Sequence, residues 1–442
     1  MRRCARGWSS SSMASDGGEP RGTPRSGLAR LFNAEPAEMP AVLSGFALLF
    51  FVFASYLMLR PVRETFGIVG GVDNLAWLWT GTFVAMLCVV PIYGWVASRV
   101  PRRRLLPVLY TLCAAVLVAF AASLKFNPDD VWIARAFYVW MAVMNLFIIS
   151  VAWSLMSDVF ERDRGHRLFG PIAAGASLGG LTGPLLSLNL IERVGEPGLL
   201  LISAGILLLG LASVRFLLGW RDRMGPRTDV PPPERIAGSV WAGLTLILKS
   251  RYLLMIAAFI LLLVTSTTFL YFEQARIVEA NFPDRTAQTQ VFATIDTAVQ
   301  SLTILIQVFF TGQLAKRLGV TVLLVAVPVT MMFGYGLLAL AATFPVLVFV
   351  MVVRRVGDYA LVAPGREMLF TPLDAETKYK AKNAIDTAVF RGGDVMAGWI
   401  HTGIAAIGSS AAVFLAGVIA AGAWAAVGLA IGRRHDREPA RR

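Results

Sequence analysis

The sequence predicts an all-α membrane protein of about twelve spanning helices, built as two pseudo-repeated bundles of six. Three observations predict it. Of 442 residues, 56% are hydrophobic and 16% charged, with a mean hydropathy of +0.64, too apolar for an ordinary water-soluble globule. Apolar runs of about 20 residues, the length that crosses a bilayer, recur along the chain. Segments of the first half reappear in the second at offsets of about 213–218 residues, as in carriers assembled from parallel repeats.

Taken in order, residues 1–39 are rich in Arg, Ser, Gly and Pro and hold no apolar stretch, so they read as a cytoplasmic tail rather than a secretory signal. Met13 is a second plausible start within it. Apolar segments then fall at 41–69, 74–97, 105–124, 131–157, 169–191 and 197–218, and again at 252–277, 289–312, 320–343, 346–372, 384–406 and 411–431. The division is therefore an N-terminal bundle over 40–218, a linker over 219–251, a C-terminal bundle over 252–431 and a tail over 432–442. The linker contains Pro231-Pro-Pro233, and its second part spaces Ile236, Val240, Leu244 and Ile247 as one apolar helix face on the inner surface.

Charge sets orientation. The net charge of +13 comes mostly from alternate loops, among them Arg99 and Arg102 to Arg104, Arg221 and Arg223, Lys378 to Lys382, and Arg433 with Arg434. The other loops hold mainly Lys125, Arg193 and Arg285. By the positive-inside rule both termini are cytoplasmic, and the basic balance needs no nucleic acid to explain it.

The repeat is visible in particular residues. Gly94-Trp-Val-Ala-Ser-Arg99 is echoed by Gly312-Gln-Leu-Ala-Lys-Arg317, and Arg63 near the end of the first span by Arg276 near the end of the seventh. A substrate site near mid-membrane, at the interface of the halves, follows from that architecture.

The tenth and eleventh spans carry charges that lipid-facing helices do not keep. The tenth holds Arg354, Arg355 and Asp358, and the eleventh Asp386, Arg391, Asp394 and His401. Left facing lipid, the first three would add about 8–10 kcal/mol. They must pair or line a wet path. Spacing by three puts Arg355 with Asp358 and Arg391 with Asp394; buried ion bridges that lock the helices are the purely structural alternative. In the first span Arg60 and Glu64 are four apart and able to pair, leaving Arg63 free as an anion clamp or as an interfacial snorkelling residue. The eighth span aligns Asp296, Gln300, Thr303 and Gln307 as one polar stripe, and Asn145 in the fourth span is a weaker polar candidate.

Other chemistries find no support in the pattern. The three cysteines and three histidines are scattered, so neither a disulfide framework nor a metal site is expected. No phosphate-binding G-x-x-x-x-G-K-[ST] loop appears, and no cofactor is expected. Gly175-Ala-Ser-Leu-Gly179 formally matches a nucleophile elbow, but that motif requires a strand-to-helix turn. Gly175, Gly179 and Gly183, spaced by four, instead permit close helix contact. An enzyme is not expected.

Gly94-x-x-x-Ser98-Arg99-x-x-Arg102-Arg-Arg104 is similar to the second-to-third helix loop of the major facilitator superfamily, with Ser98 in place of its usual Asp. Leu59-Arg-Pro-Val-Arg63-Glu, Trp153-Ser-Leu-Met-Ser-Asp158, Arg167-Leu-Phe-Gly-Pro-Ile-Ala-Ala-Gly-Ala-Ser-Leu-Gly179 and Lys380-Ala-Lys-Asn-Ala-Ile-Asp386 together resemble the ATP/ADP translocases and their relatives in free-living bacteria. The resemblance covers about residues 41–430. It implies nucleotide exchange by alternating access in the bacterial inner membrane, with Arg63 and Lys382 meeting phosphates and Asp386 beside Lys382. Where those translocases carry Asp-Thr-Lys-Asp, this chain has Pro61-Val-Arg63-Glu64.

The expectation is thus a monomeric secondary transporter of a small anion. Arg60, Arg63, Arg354, Arg391, Lys382, Asn145 and Gln300 bind it. Glu64, Asp296, Arg355, Asp358, Asp386 and Asp394 gate or neutralise those cations. The alternative is a proton-coupled carrier of another solute.

Overall fold

The computed structural model describes residue 35 and residues 37–160, 162–223 and 240–437. Most of the expected N-terminal tail, the Pro231-Pro-Pro233 part of the linker and residues 438–442 lie outside the described residues. Every regular element among the described residues is helical.

Helix α1 runs Met39–Val69, and a short 3-10 turn, Val72–Asn74, leads to α2, Leu75–Arg99. Next come α3, Arg102–Phe126, and α4, Val131–Val159. Asp130 starts α4 by accepting hydrogen bonds from the backbone N–H groups of Trp132 and Ile133, satisfying donors that a helix start leaves open. The helical run Arg162–Arg223 breaks at Gly195, whose φ of 64° only glycine adopts freely. It therefore forms two helices, α5 over 162–194 and α6 over 196–223.

The second half opens with the short α7, Val240–Lys249, followed by α8, Arg251–Asn281, and α9, Arg285–Ile306. Helix α9 continues through a π turn at Gln307–Thr311, and a second glycine break at Gly319 starts α10, Gly319–Leu340. Helix α11 comprises Phe344–Gly357, a π turn at Asp358–Val362, and Ala363–Met368. Helix α12 comprises Ala375–Ala384, a π turn at Ile385–Val389, and Phe390–Ile407, and α13 is Ser410–Arg437.

Nine of these helical stretches are long and apolar enough to cross a membrane. One of the nine, Arg167–Arg223, is the α5–α6 pair, which makes ten crossings. The charged helices α11 and α12 complete twelve, both interrupted by π turns. These π turns (and the one after α9) all lie in the second half, beside polar residues. Such turns recur at functional sites because they shift which side chains face inward.

Helix α1 is gripped from both sides by the α5–α6 hairpin. Carbon atoms added at Gly175, Gly179 and Gly183 would run into the backbone carbonyls of Phe46, Phe50 and Ala54 respectively. Both numbers rise together, so α5 lies parallel to α1 at backbone contact distance, which the four-residue glycine spacing makes possible. Helix α6 runs the opposite way: Ser203 meets Ser55, their hydroxyls 2.8 Å apart, while Gly210 lies against Phe51 and Leu48.

The buried apolar side chains fall into one large cluster drawn from residues 41–217 and another from 247–431. A smaller cluster joins the halves, with Ile68, Leu75, Ala76 and Tyr138 against Phe272, Ala275 and Phe292. Polar contacts between the halves gather at the same end. Arg276 pairs with Asp73 at 3.5 Å, Arg285 with Asp129 at 3.2 Å, and Gln290 donates to Glu192 at 2.8 Å. The face carrying the 70–74, 127–130 and 282–284 connections is therefore closed.

Helix α7 docks on the start of α12. Gly243 lies against the Lys380 backbone and Ala384, and Ile247 is buried while Leu248 is exposed. Of the apolar face read from the sequence, Leu244 and Ile247 thus pack on protein, while Ile236 lies outside the described residues.

Candidate functional site

A cavity of about 750 Å³ lies between the halves, within the range that holds small-molecule ligands. Helix α1 contributes Tyr56, Arg60 and Arg63, spaced by four and three so that all share one face. Helices α2 and α4 add Trp79, Phe83, Tyr138 and Asn145; α9 adds Gln300, Thr303 and, at its π turn, Gln307. Tyr359 of α11 and Phe390, Arg391 and Asp394 of α12 close the other side. Tyr359 and Phe390 sit in or just after π turns.

Three arginines, two from the first half and one from the second, thus border one hollow. Arg60 is loosely held, its Nε 3.9 Å from Glu64 and 3.8 Å from Asp296. Arg63 donates to the Tyr138 hydroxyl at 3.2 Å and stacks over that ring at 4.6 Å, and its Nε has no hydrogen-bond partner. Arg391 lies 3.5 Å from Asp394 and is more exposed than Arg60. None is locked into a bidentate carboxylate pair, so their donors remain available to an anion.

Tyr138 is the hub at the closed end. Its hydroxyl receives the Trp79 indole N–H at 2.8 Å and lies 2.8 Å from the Tyr271 hydroxyl, while Tyr271 in turn donates to Glu64. The chain Arg63–Tyr138–Tyr271–Glu64 crosses between the halves at α4 and α8.

Behind the cavity wall lies a second charged layer. Arg355 and Asp296, both more than nine-tenths buried, pair at 2.5 Å across α11 and α9. Arg354 pairs with Asp358 at 2.6 Å and donates to Thr267 at 2.9 Å. The sequence spacing put Arg355 with Asp358; the observed partner of Asp358 is the residue one turn before it. Four residues separate them, and Arg355, about 100° further round the helix, faces α9 instead.

Of the residues singled out from the sequence, Arg60, Arg63, Arg391, Asn145, Gln300 and Asp394 border the cavity. Glu64, Asp296, Arg354, Arg355 and Asp358 stand one layer back. Lys382 and Asp386 lie on the first part of α12, where Lys382 pairs with Glu367 at 2.5 Å. Arg276, the repeat counterpart of Arg63, belongs to the closed face. Sequence reasoning passed over the aromatic lining and Tyr271. Aromatic residues in an apolar helix carry no charge signal, and only contact between distant helices marks them out. It also passed over Glu273, whose spacing of three from Arg276 inside an apolar helix was available as a sign.

Membrane-crossing helices in two halves, with a polar, arginine-bearing hollow between them, are the arrangement in which transporters of repeated build place a substrate site. The sequence profile of the Major Facilitator Superfamily matches residues 41–373, and the chain belongs to that family. It is a multi-pass membrane protein of that superfamily. Among curated proteins it is 23% identical over 310 residues to ADP,ATP carrier protein 1 of Chlamydia muridarum (strain MoPn / Nigg), a match covering 62% of this chain and 59% of that relative. Solved structures share the fold. A bacterial homologue of the iron transporter ferroportin in an inward-facing state aligns with a TM-score of 0.64 at 13% identity, covering 91% of this chain and 99% of the other. The nucleoside transporter NupG gives 0.59 at 12% identity, covering 92% and 100%. A POT family transporter in complex with 5-aminolevulinic acid gives 0.64 at 12%, covering 90% and 96%.

Proposed function

We propose that the protein exchanges small organic anions, nucleotides foremost, across the bacterial inner membrane, with both termini in the cytoplasm. The observation that carries this reading is the convergence of Arg60, Arg63 and Arg391 on one cavity. Guanidinium forks match phosphate and carboxylate oxygens, and the rings of Tyr56, Trp79, Phe83 and Phe390 offer planes for a flat base. Likeness to an ADP,ATP carrier points the same way. Arg354 and Lys382 supply further positive potential from the second half, and Asn145 and Gln300 supply uncharged hydrogen-bonding groups.

Exchange follows from the weak internal pairing. When the site is empty, Asp296 and Glu64 draw Arg60, and Asp394 draws Arg391, so halves and helices stay tied. An incoming anion takes over those cations, and Asp296 keeps Arg355. The pairs Arg354–Asp358 and Arg355–Asp296 hold the second layer electrically balanced while the halves rock, and Asp386 offsets Lys382 on α12. The test is thermal-shift screening of the purified protein against ATP, ADP, phosphate and carboxylates, followed by counter-flow in liposomes with every stabilising anion. Stabilisation by none of them, with no counter-flow of any, defeats the proposal.

A second reading has one observation in its favour: Asp394, a carboxylate on the cavity wall. It makes the protein a proton-coupled carrier of another solute. Solute flux driven by an imposed pH gradient, with no exchangeable anion on the far side, distinguishes it.

A further inference from the structure

The three cavity arginines do not stand at one depth. Arg63 meets Tyr138, and Tyr138 meets Trp79 of α2 and Tyr271 of α8, so these four residues share a level beside the closed face. Arg60 comes three residues before Arg63 on α1, about 4.5 Å further from that face. Arg391 lies further still. Trp399, eight residues after it on α12, donates to Thr80, the neighbour of Trp79, at 3.1 Å. Eight residues of α-helix set Arg391 about 12 Å from the Trp79 level.

Two uncharged polar groups share that far level. Asn145 follows Tyr138 by seven residues on α4, about 10.5 Å along the helix. Gln300 of α9 is level with Leu57, since a carbon added at Gly180 would touch both side chains. Leu57 comes six residues before Arg63, about 9 Å along α1. Asn145, Gln300 and Arg391 all border the cavity.

The two levels differ in kind. At the near one Arg63 makes no ion pair among the described residues and its Nε lacks a hydrogen-bond partner. Arg60 has its carboxylates no nearer than 3.8 Å. That end holds an unanswered positive charge, which suits a terminal phosphate. At the far level Arg391 is already met by Asp394 at 3.5 Å, so a phosphate there would also face a like charge. What the far level offers is a mixture of donors and acceptors. Arg391 and Gln300 supply N–H groups, Asp394 a carboxylate, and Asn145 a buried carboxamide oxygen with no hydrogen-bond partner. A nucleobase edge carries the same mixture, and the Phe390 ring, 5.9 Å from the Arg391 guanidinium, gives it a plane.

We propose that the cavity fixes the polarity of its cargo. Phosphates sit on Arg63 and Arg60 beside the closed face, and the base lies about 10 Å away among Asn145, Gln300, Arg391 and Asp394. This deepens the anion-exchange reading and rests on it. The span between the levels matches an extended nucleoside diphosphate. The cavity therefore selects that class over inorganic phosphates, which reach the near end alone, and over nucleosides, which reach the far end alone. Joining both ends in one molecule makes the second contact intramolecular, so its affinity exceeds that of either fragment.

The test measures Kd for ADP and for pyrophosphate by isothermal titration of the purified full chain. In the parent, ADP should bind more tightly than pyrophosphate. Arg63→Gln should weaken both by the same factor, about tenfold or more. Asn145→Leu should weaken ADP several-fold and leave pyrophosphate at its parent affinity, a result that also shows the variant to be folded. Should Arg63→Gln fail to insert, Tyr138→Phe probes the near end, with a smaller but again equal loss for the two ligands. The polarity is overturned, with anion exchange left standing, by any of three results: pyrophosphate weakened in Asn145→Leu as much as ADP, pyrophosphate spared in the near-end variant, or a parent that binds pyrophosphate as tightly as ADP. A parent that binds neither ligand defeats the anion reading itself, and this proposal with it.

Discussion

Asp296 of α9 and Arg355 of α11 meet at 2.5 Å with both side chains almost wholly removed from solvent. The second oxygen of Asp296 accepts no hydrogen bond and points toward Arg60, 3.8 Å away. One carboxylate thus ties α9 to its neighbour within the second half and, more loosely, to α1 of the first.

Removing one partner leaves the other as a stranded buried charge. Asp296→Ala should cost about 3–5 kcal/mol of stability, read as a lowered Tm in detergent. The double variant with Leu at 296 and Met at 355 should regain most of it while losing transport. Additive losses in the double variant would show that the pair does not act as a unit.

The clamp makes a prediction on transport alone. Arg63→Ala and Arg391→Ala should abolish uptake while membrane insertion and yield stay at the parent level. Tyr138→Phe, which removes the hydroxyl that receives Arg63 and the Trp79 indole, should weaken anion binding by less than either. Normal transport in both arginine variants would remove the clamp.

Close contact between α1 and α5 is a packing prediction. Gly179→Val drives a side chain into the Phe50 carbonyl and should cost at least the upper end of the about 1–3 kcal/mol typical of overpacking. Gly205→Val, where nothing lies within reach of an added carbon, should be close to neutral. Comparing the two by thermal unfolding isolates backbone proximity from glycine chemistry.

The start of α12 is pH-sensitive. The Asp374 carboxylate accepts from the Thr377 backbone N–H at 2.9 Å, which holds it below the usual carboxylate range. A depressed value means the cap contributes above the unfolded-state range and fades as pH falls through the folded one. Protection against hydrogen exchange at Thr377 and Lys378, taken relative to the intrinsic rate at each pH, should fall at acid pH in the parent and be low throughout in Asp374→Ala.

Much of the fold is legible in the amino-acid order because lipid imposes a single strong rule. Spans of about 20 apolar residues must be helices, and Gly175, Gly179 and Gly183 announce a close neighbour without naming it. Charges in α11 and α12 likewise announce an interior, since lipid would reject them. Partners are harder. Arg355 finds Asp296 rather than Asp358 because the contact runs between helices distant in sequence, and no periodicity within one helix records that. The joining of α5 and α6 at Gly195 with almost no connecting loop, and the π turns that set the direction of Tyr359, depend on backbone geometry that residue types alone do not encode.

The two most heavily charged helices also bear on how the chain is made. Arg354, Arg355 and Asp358 would together resist entry into hydrocarbon by about 8–10 kcal/mol if α11 left the translocon unaided. Its reception therefore depends on elements synthesised earlier: Thr267 in α8 and Asp296 in α9 stand ready to take Arg354 and Arg355. On that order of synthesis α8 and α9 would be the docking partners of a reluctant segment, and Asp296→Ala should lower the amount of inserted protein recovered from the membrane.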